Sequence, residues 1–321
     1  MHDFENLTPD RFLDFLEKAL DTRLTALARP MPSYINRVYE VMAFDRTPYI
    51  AKFYRPGRWT QEAIEDEHAF IRDCAEVEIP VVPPLTLTNG TTLDRMDEIC
   101  FAVFPKRSGR QYDIERDEDW KRVGSLLGRI HNVGSRRAAE HRLTLAPALS
   151  RRYLEQLCGD AVGEKWRQPY NDIVSRIIDT LEPLFEGVQT FRVHGDFRPS
   201  NILHRPEEGL MVIDFDDMVN GPAAQDFWLL LPEHYPGSSR YVDLLLSGYR
   251  TFRDFHPKDL RLIEGLRAMH MVYFTTWCYM QRNDFQFQKK FPDWGSDSFW
   301  AKEVQDMRTQ FANIMDAMYA E

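Results

Sequence analysis

Residues 191–204 read FRVHGDFRPSNILH, and residues 211–217 read MVIDFDD. Three short apolar runs, near 191–194, 201–204 and 210–214, have the look of strands. They bracket His194-Gly195-Asp196, then Asn201, then Asp214. Aspartate and asparagine are ordinary turn formers, so a turn-rich connection between strands would explain the layout. A site that holds a divalent cation against phosphate oxygens would explain it too.

The second explanation has a chemical rationale. Phosphoryl transfer asks little covalent chemistry of a protein: it needs metal ligands and a group that positions the attacking hydroxyl. Magnesium prefers oxygen ligands and keeps several waters, so one carboxylate and one amide oxygen beside nucleotide phosphates suffice. Asp196 and Asn201 stand at the spacing of the loop H-R-D-x-x-x-x-N, with Gly195 in place of the arginine. The run LMVIDF ends at Asp214, where the D-F-G motif places its metal-binding aspartate; Asp216 replaces the glycine. Asp216 and Asp217 read as turn formers or caps, and His194 as a brace for the loop. Arg198, two residues past Asp196, is a candidate γ-phosphate contact or a plain surface arginine.

Composition sets the outer bounds. The 321 residues suffice for one large domain or two lobes, and 43% hydrophobic with 28% charged residues excludes wholesale disorder. A net charge of −10 argues against a nucleic-acid surface and against attraction to anionic lipid. Cys74, Cys100, Cys158 and Cys278 are widely spaced, which fits a reducing compartment better than a disulfide framework. The acidic opening MHDFENLTPD lacks a signal-peptide pattern, and LRAMHMVYFTTWCYM (266–280) is too short and too polar to span a bilayer. The expectation is a cytoplasmic monomer with no nucleic-acid or membrane partner.

Along the chain, LTPDRFLDFLEKAL predicts a helix with Thr8 as N-cap, and 37–54 predicts two strands around Asp45-Arg46-Thr47-Pro48. A helix follows at about 60–74, then a hairpin from about 85 to 104. Beyond 115 the periods turn helical, at 150–187, 222–231, 240–255, 258–283 and 298–319. The expected fold class is α+β: a small β-rich N-lobe over 1–105 and a larger, mainly helical C-lobe over 106–321.

The N-lobe supplies a second set of candidates. Lys52 lies inside the strand pattern YIAKFY, as the lysine of V-A-I-K does. Ile64, Glu67, His68 and Ile71 share one helical face, so Glu67 sits among apolar residues and needs a cationic partner; Lys52 is the obvious one. A glycine-rich phosphate loop is missing. In its place stands RPMPSYINRVYEV, where the Ser33 hydroxyl and nearby amides are the candidate phosphate cap.

Lys52, Glu67, HGDFRPSN and IDFDD together resemble the aminoglycoside phosphotransferase and choline kinase group, which has the two-lobed protein-kinase-like fold. The stretches SYINRVYEV, AKFYRPGRWT, EDEHAF, FAVFP, LGRIH, HGDFRPSNIL, NGPAAQDFWLLL and LIEGLRAMHMVYFTTW extend the resemblance to a bacterial stress-linked branch, over about 33 to 277. The resemblance implies a cytoplasmic ATP- and magnesium-dependent serine/threonine protein kinase. By position it makes Asp196 the proton acceptor, Asn201 and Asp214 magnesium ligands, with Asp214 also catalytic, and Ser33 an ATP contact. It makes Asp226, in Asp226-Phe227-Trp228, a support of the catalytic loop.

The residues alone specify only a hydroxyl acceptor. Between Asp214 and the helix expected near Pro222 there is no room for a long activation segment, and no A-P-E follows, which favours a small alcohol. Tyr273, Phe274, Trp277 and Tyr279 are candidate pocket residues that read first as core, and Glu233, Asp254 and Glu264 read as exposed acids. A metal-dependent phosphohydrolase would use the acidic cluster but leave Lys52 and Glu67 unexplained. A nucleotide-binding pseudokinase sits badly with the full set of Lys52, Asp196, Asn201 and Asp214.

Overall fold

The computed structural model describes residues 4, 6–33 and 35–319. In chain order the elements are α1 (Pro9–Leu20), β1 (Leu24–Pro30), β2 (Arg37–Ala43), β3 (Pro48–Phe53), α2 (Gln61–Glu76), β4 (Asp94–Met96), β5 (Ile99–Pro105) and β6 (Arg110–Gln111). Then come α3 (Asp117–Gly134), α4 (Pro147–Asp160), α5 (Glu164–Leu181), β7 (Phe191–Val193), β8 (Ile202–Arg205), β9 (Gly209–Val212) and β10 (Val219–Gly221). The chain continues with α6 (Gln225–Trp228), α7 (Ser239–Tyr249), α8 (Ile263–Gln281), α9 (Phe285–Lys290) and α10 (Asp297–Tyr319).

Two compact units divide these elements, and the division is not a single cut. The first comprises Met1–Asp113, Ala138–Arg142 and Pro199–Met218; the second comprises Ile114–Arg137, Leu143–Arg198 and Val219–Glu321. The first unit therefore extends past residue 105 and takes in two later stretches. The cause is pairing: β6 bonds to β8, and β8 to β9, so the hairpin 202–212 folds with the N-terminal part.

The first unit is built on an antiparallel sheet in the order β1-β2-β3-β5-β4. Phe12, Leu16 and Ala19 of α1 bury one face of that helix against Val41, Ala51, Phe53 and Phe101 of the sheet. The Phe12 ring lies 5.1 Å from Phe53 and 4.6 Å from Tyr39. In α2 the Thr60 hydroxyl accepts from the Ala63 amide at 3.2 Å, the N-cap that its position predicts. Thr8 precedes α1 without a side-chain cap; Pro9, in the first turn, needs no amide partner there. The expected hairpin over 85–104 shrinks to β4 and β5, since Leu85 to Leu93 runs as a loop around the Leu87–Thr91 turn.

In the second unit, helices carry the core. Gly124 and Gly128 on α3 and Gly248 on α7 let two backbones touch: a Cβ on Gly124 would stand 1.9 Å from the Leu245 carbonyl oxygen, and one on Gly248 1.9 Å from that of Lys121. No side chain fits there. α4, α5, α8 and α10 pack together, with Tyr170, Trp300, Ile263 and Leu266 fully or nearly fully buried. β7 and β10 form a two-stranded ribbon, Val193 opposite Val219. One acid departs from expectation. Glu233 and Asp254 are exposed, but Glu264 is fully buried, accepting from the Tyr235 amide at 2.8 Å and Gln310 Nε2 at 2.7 Å, with Arg267 at 3.2 Å. Of the four aromatic residues on α8, Trp277 is buried, Phe274 is exposed, and Tyr273 and Tyr279 lie between.

Candidate active site

Lys52 is at the centre of a buried charge cluster in the first unit. On β3 it sits opposite Val38 of β2 and Ala102 of β5, with its stem sealed in the sheet. Its ammonium lies 3.3 Å from Glu67 Oε1, as the helical periodicity of α2 predicts. It lies 2.9 Å from Asp216 Oδ1 and 3.6 Å from Asp214 Oδ1. The nearest of the three is Asp216, which the sequence presents as a turn former.

Asp216 is 3% exposed, and its role as a plain turn residue is corrected by what surrounds it. The Arg58 guanidinium pairs with Asp216 through one nitrogen and with Asp217 through the other. Asn36 donates its side-chain amide to Asp216 Oδ1 at 3.1 Å while accepting from the Arg55 amide. A carboxylate so deeply buried survives only with such partners. Burial pushes its pKa up, but the charges of Arg58, Lys52 and Arg142 outweigh burial and hold it well below the usual carboxylate range.

Glu67 is buried as completely and has two cations, one per oxygen: Lys52 on Oε1 and Arg142 on Oε2, the latter at 2.9 Å. Burial raises its pKa, against the pull of Lys52 and Arg142. For Lys52, burial works downward, yet Asp216 and Glu67 carry the ammonium well above the ordinary lysine value. It is a fixed positive charge at any physiological pH. Beside it Tyr54 places its ring 4.8 Å away and shares a 2.9 Å hydrogen bond with His68 Nε2, whose Nδ1 meets Thr92 Oγ1 at 2.8 Å.

Asp214 differs from its neighbours. It follows β9 in a left-handed conformation, φ +62°, and its side chain is 51% exposed. A non-glycine residue held at positive φ at the end of a strand is costly and marks a carboxylate aimed by the backbone. The Asn201 carbonyl accepts from the Ile213 amide at 3.0 Å, which sets Asn201 and Asp214 at one end of the β8–β9 hairpin. Ser33 is exposed in the loop between β1 and β2, and that loop meets the cluster through Asn36.

These residues suit a divalent cation. Lys52, Arg58 and Arg142 face Glu67, Asp214, Asp216 and Asp217, three positive charges against four negative. The carboxylate left over, Asp214, is the exposed one. Among the described residues no group of three or more acids, histidines or cysteines could hold a metal alone. A magnesium ion at Asp214 and Asn201 would take its remaining ligands from phosphates and water, its usual habit.

The loop with Asp196 belongs to the second unit and is held by different means. Asp226, fully buried on α6, accepts from the His194 amide at 2.7 Å and the Gly195 amide at 2.8 Å. His131 on α3 completes it, Nε2 at 3.0 Å from Asp226 Oδ2 and Nδ1 at 3.0 Å from the Tyr249 hydroxyl. Burial depresses the His131 pKa against the pull of Asp226. Gln225 donates to the Gly195 carbonyl at 3.0 Å, and Gly195 takes φ +84°, open to glycine without cost. His194 Nδ1 receives the Asp196 amide at 3.3 Å, the bracing expected of it. The Asp196 carboxylate lies 3.0 Å from Arg198 Nε. Arg198 is half exposed.

Arg58, Arg142, Asn36 and the ionic role of Asp216 escaped the sequence reading. The contacts that join them to Asp216 span from 74 to 180 residues of chain, and no local period reports such contacts.

Comparison with known proteins places the chain in a family and a fold. The family model described as APH, phosphotransferase enzyme family, matches residues 28–263. Stress response kinase A of Escherichia coli (strain K12) is 34% identical over 309 residues, covering 94% of this chain and 92% of the relative. The serine/threonine protein kinase RdoA of Salmonella typhimurium (strain LT2) is 32% identical over 310 residues, with the same coverage. Among solved structures, amicoumacin kinase hAmiN, in complex with AMP-PNP, Ca2+ and Ami, superposes with a TM-score of 0.71 at 15% identity, over 92% of this chain and 93% of that one. The microcompartment-associated aminopropanol kinase gives 0.70 at 18% identity, over 96% and 98%. The structural likenesses bear out the α+β kinase-like fold, with a small β-rich part and a larger helical one. By family match and by kinship along almost its whole length, the chain belongs to the phosphotransferase enzyme family and is an enzyme that transfers phosphate.

Proposed function

We propose that the protein is an ATP- and magnesium-dependent kinase that transfers the γ-phosphate to a serine or threonine hydroxyl of a protein, in a stress response. The observation that carries the phosphoryl-transfer reading is Lys52, a permanently charged ammonium between Glu67 and Asp216, 3.6 Å from the half-exposed Asp214. The protein acceptor and the stress role rest on kinship with stress response kinase A and the serine/threonine protein kinase RdoA.

Asp214 and Asn201 would hold magnesium, which when bound offsets charge on the phosphate oxygens. Lys52 binds the α- and β-phosphates, kept from swinging away by Glu67 and Asp216. Asp196 accepts a hydrogen bond from the acceptor hydroxyl, orients it, and takes its proton as the new oxygen–phosphorus bond forms and the bond from the γ-phosphorus to the bridging oxygen breaks, ADP leaving with that electron pair. Little early base catalysis is needed in a loose transition state, so orientation is its larger contribution. Arg198 neutralises Asp196 at rest and offers its guanidinium to the transferring phosphate. Ser33 and the amides beside it cap the nucleotide phosphates in place of a glycine-rich loop.

A second reading has its own observation. From Asp214 to the start of α6 at Gln225 the chain is short, and Val219–Gly221 is taken up in pairing with β7. A long substrate-binding activation segment has no room there, which favours a small alcohol. The test is transfer of γ-labelled phosphate from Mg-ATP to the enzyme, to a generic protein, and to a panel of amino alcohols. Label on serine or threonine supports the first reading; label on small alcohols alone replaces it with the second.

A further inference from the structure

Arg142 belongs to a five-residue excursion, Ala138–Arg142, that folds with the first unit although the chain before and after it folds with the second. At 4% exposure it is buried to a degree that arginine reaches only when its donors are matched. Nε donates to the Ala63 carbonyl at 2.7 Å, and Nη1 to the carbonyls of Asp216 at 2.7 Å and Met218 at 3.4 Å. Nη2 donates to Glu67 Oε2 at 2.9 Å. The guanidinium carbon lies 4.1 Å from the Trp59 ring centre, so a face is covered as well as the edges. One residue earlier, the His141 amide donates to Asp66 Oδ2 at 2.8 Å, docking the excursion on α2.

We propose that Arg142 is a positioning residue for phosphoryl transfer: it ties Glu67 on α2 to the Asp216–Met218 turn, and so fixes the two carboxylates that hold Lys52. This rests on the reading of Lys52 as the phosphate-binding cation. Glu67 shows one oxygen to Lys52 and the other to Arg142; Asp216 shows its carboxylate to Lys52 and its carbonyl to Arg142. Arg142 thus grips both of Lys52's nearest anionic partners from another side. Without it, Glu67 keeps Lys52 as its cation while Asp216 stays anchored by Arg58 and Asn36, so the link between helix and turn that sets the Lys52 position rests on Lys52 itself. A lysine at this position has three donors on one nitrogen in place of a planar fork spread over three, so it cannot reach all four acceptors, Ala63, Asp216, Met218 and Glu67, at once.

The experiment measures γ-phosphate transfer from Mg-ATP by the full chain as wild type, Lys52→Met, Arg142→Lys, Arg142→Met, Glu67→Gln and Glu67→Gln/Arg142→Lys, each with a melting curve. Arg142→Lys is expected to melt cooperatively and to lose about tenfold or more in kcat, while KM for ATP moves less than about threefold. Because Arg142 acts through Glu67, the double variant should be within about twofold of the slower single variant rather than showing the product of both losses. Wild-type kcat in Arg142→Lys, or losses that multiply, would overturn the proposal. So would failure of Arg142→Lys to fold, which would make the residue a determinant of the fold; Arg142→Met failing to fold leaves the lysine variant as the deciding one. If the wild type transfers no phosphate from Mg-ATP, the reading of the site itself fails. If the wild type transfers and Lys52→Met collapses while Arg142→Lys does not, only this inference fails.

Discussion

The charge cluster around Lys52 and the loop around Asp196 solve one problem in opposite ways. Each holds a candidate functional group in a fixed place. Around Lys52 the means are ionic: Glu67, Asp216, Arg58 and Arg142 are buried and pair side chain with side chain. Around Asp196 the means are backbone hydrogen bonds. Buried Asp226 takes the His194 and Gly195 amides, and Gln225 holds the Gly195 carbonyl. In the first, the functional cation is itself a member of the network, so its mutation unbalances its neighbours. In the second, the loop that carries the candidate carboxylate is held mainly through its backbone, and the carboxylate itself pairs with Arg198. Asp214, half exposed at its strand end, behaves like Asp196 although it borders the charged cluster.

That contrast sorts the expected mutant effects. The largest is on Asp214→Ala: phosphate transfer should fall by about 10³-fold or more, with the melting temperature within about 2 °C of wild type. A large loss of stability would place Asp214 inside the ionic network instead. Next comes Asp226→Ala, which orphans two buried amides at about 1–3 kcal/mol each. A melting curve should show a drop of order 10 °C. An unchanged curve would mean that the Asp196 loop has another scaffold.

Lys52→Met should cost about 10²-fold in kcat, read by the same transfer assay. Its stability cost should stay below the 3–5 kcal/mol typical of a broken buried pair, because Glu67 keeps Arg142 and Asp216 keeps Arg58. The last effect is one of pH, and it touches stability rather than transfer. Burial holds the His68 pKa near 3 against an ordinary 6.5. Below pH 6.5 the unfolded chain binds a proton that the folded one refuses, so this contribution is complete above 6.5 and is lost on acidification toward 3. The slope is at most about 1.4 kcal/mol per pH unit. His68→Gln should flatten that part of the stability profile, measured by denaturant titration from pH 7 to 4.

The parts of the site legible in the sequence are those that local geometry controls. The period of α2 puts Glu67 among Ile64, His68 and Ile71, and a buried carboxylate calls for a cation; Lys52 answers at 3.3 Å. The apolar run before Asp214 is readable for the same reason, whereas Asp226-Phe227-Trp228 is readable only through the family resemblance. Arg142 and Arg58 were not, since nothing in EHRLTL or RPGRWT shows that either guanidinium is buried. Their burial is decided by partners from remote segments. In the fold, β1 was missed because its outward residues leave only a weak alternation in LTALARP. β10 was missed because three residues ending in glycine become a strand only when paired with β7. Glu264 was misjudged for a similar reason, its partners Tyr235 and Gln310 lying 29 and 46 residues away.

In the proposed reaction Asp196 orients the hydroxyl that receives phosphate, and the backbone bonds to Asp226 hold its loop whatever its charge. Single-turnover transfer of γ-labelled phosphate from Mg-ATP by wild type and Asp196→Asn, with melting curves for both, tests it most directly. Melting temperatures equal within about 2 °C and a loss in rate of about 10²-fold or more in the variant are expected. Transfer at the wild-type rate by a folded Asp196→Asn protein would contradict it.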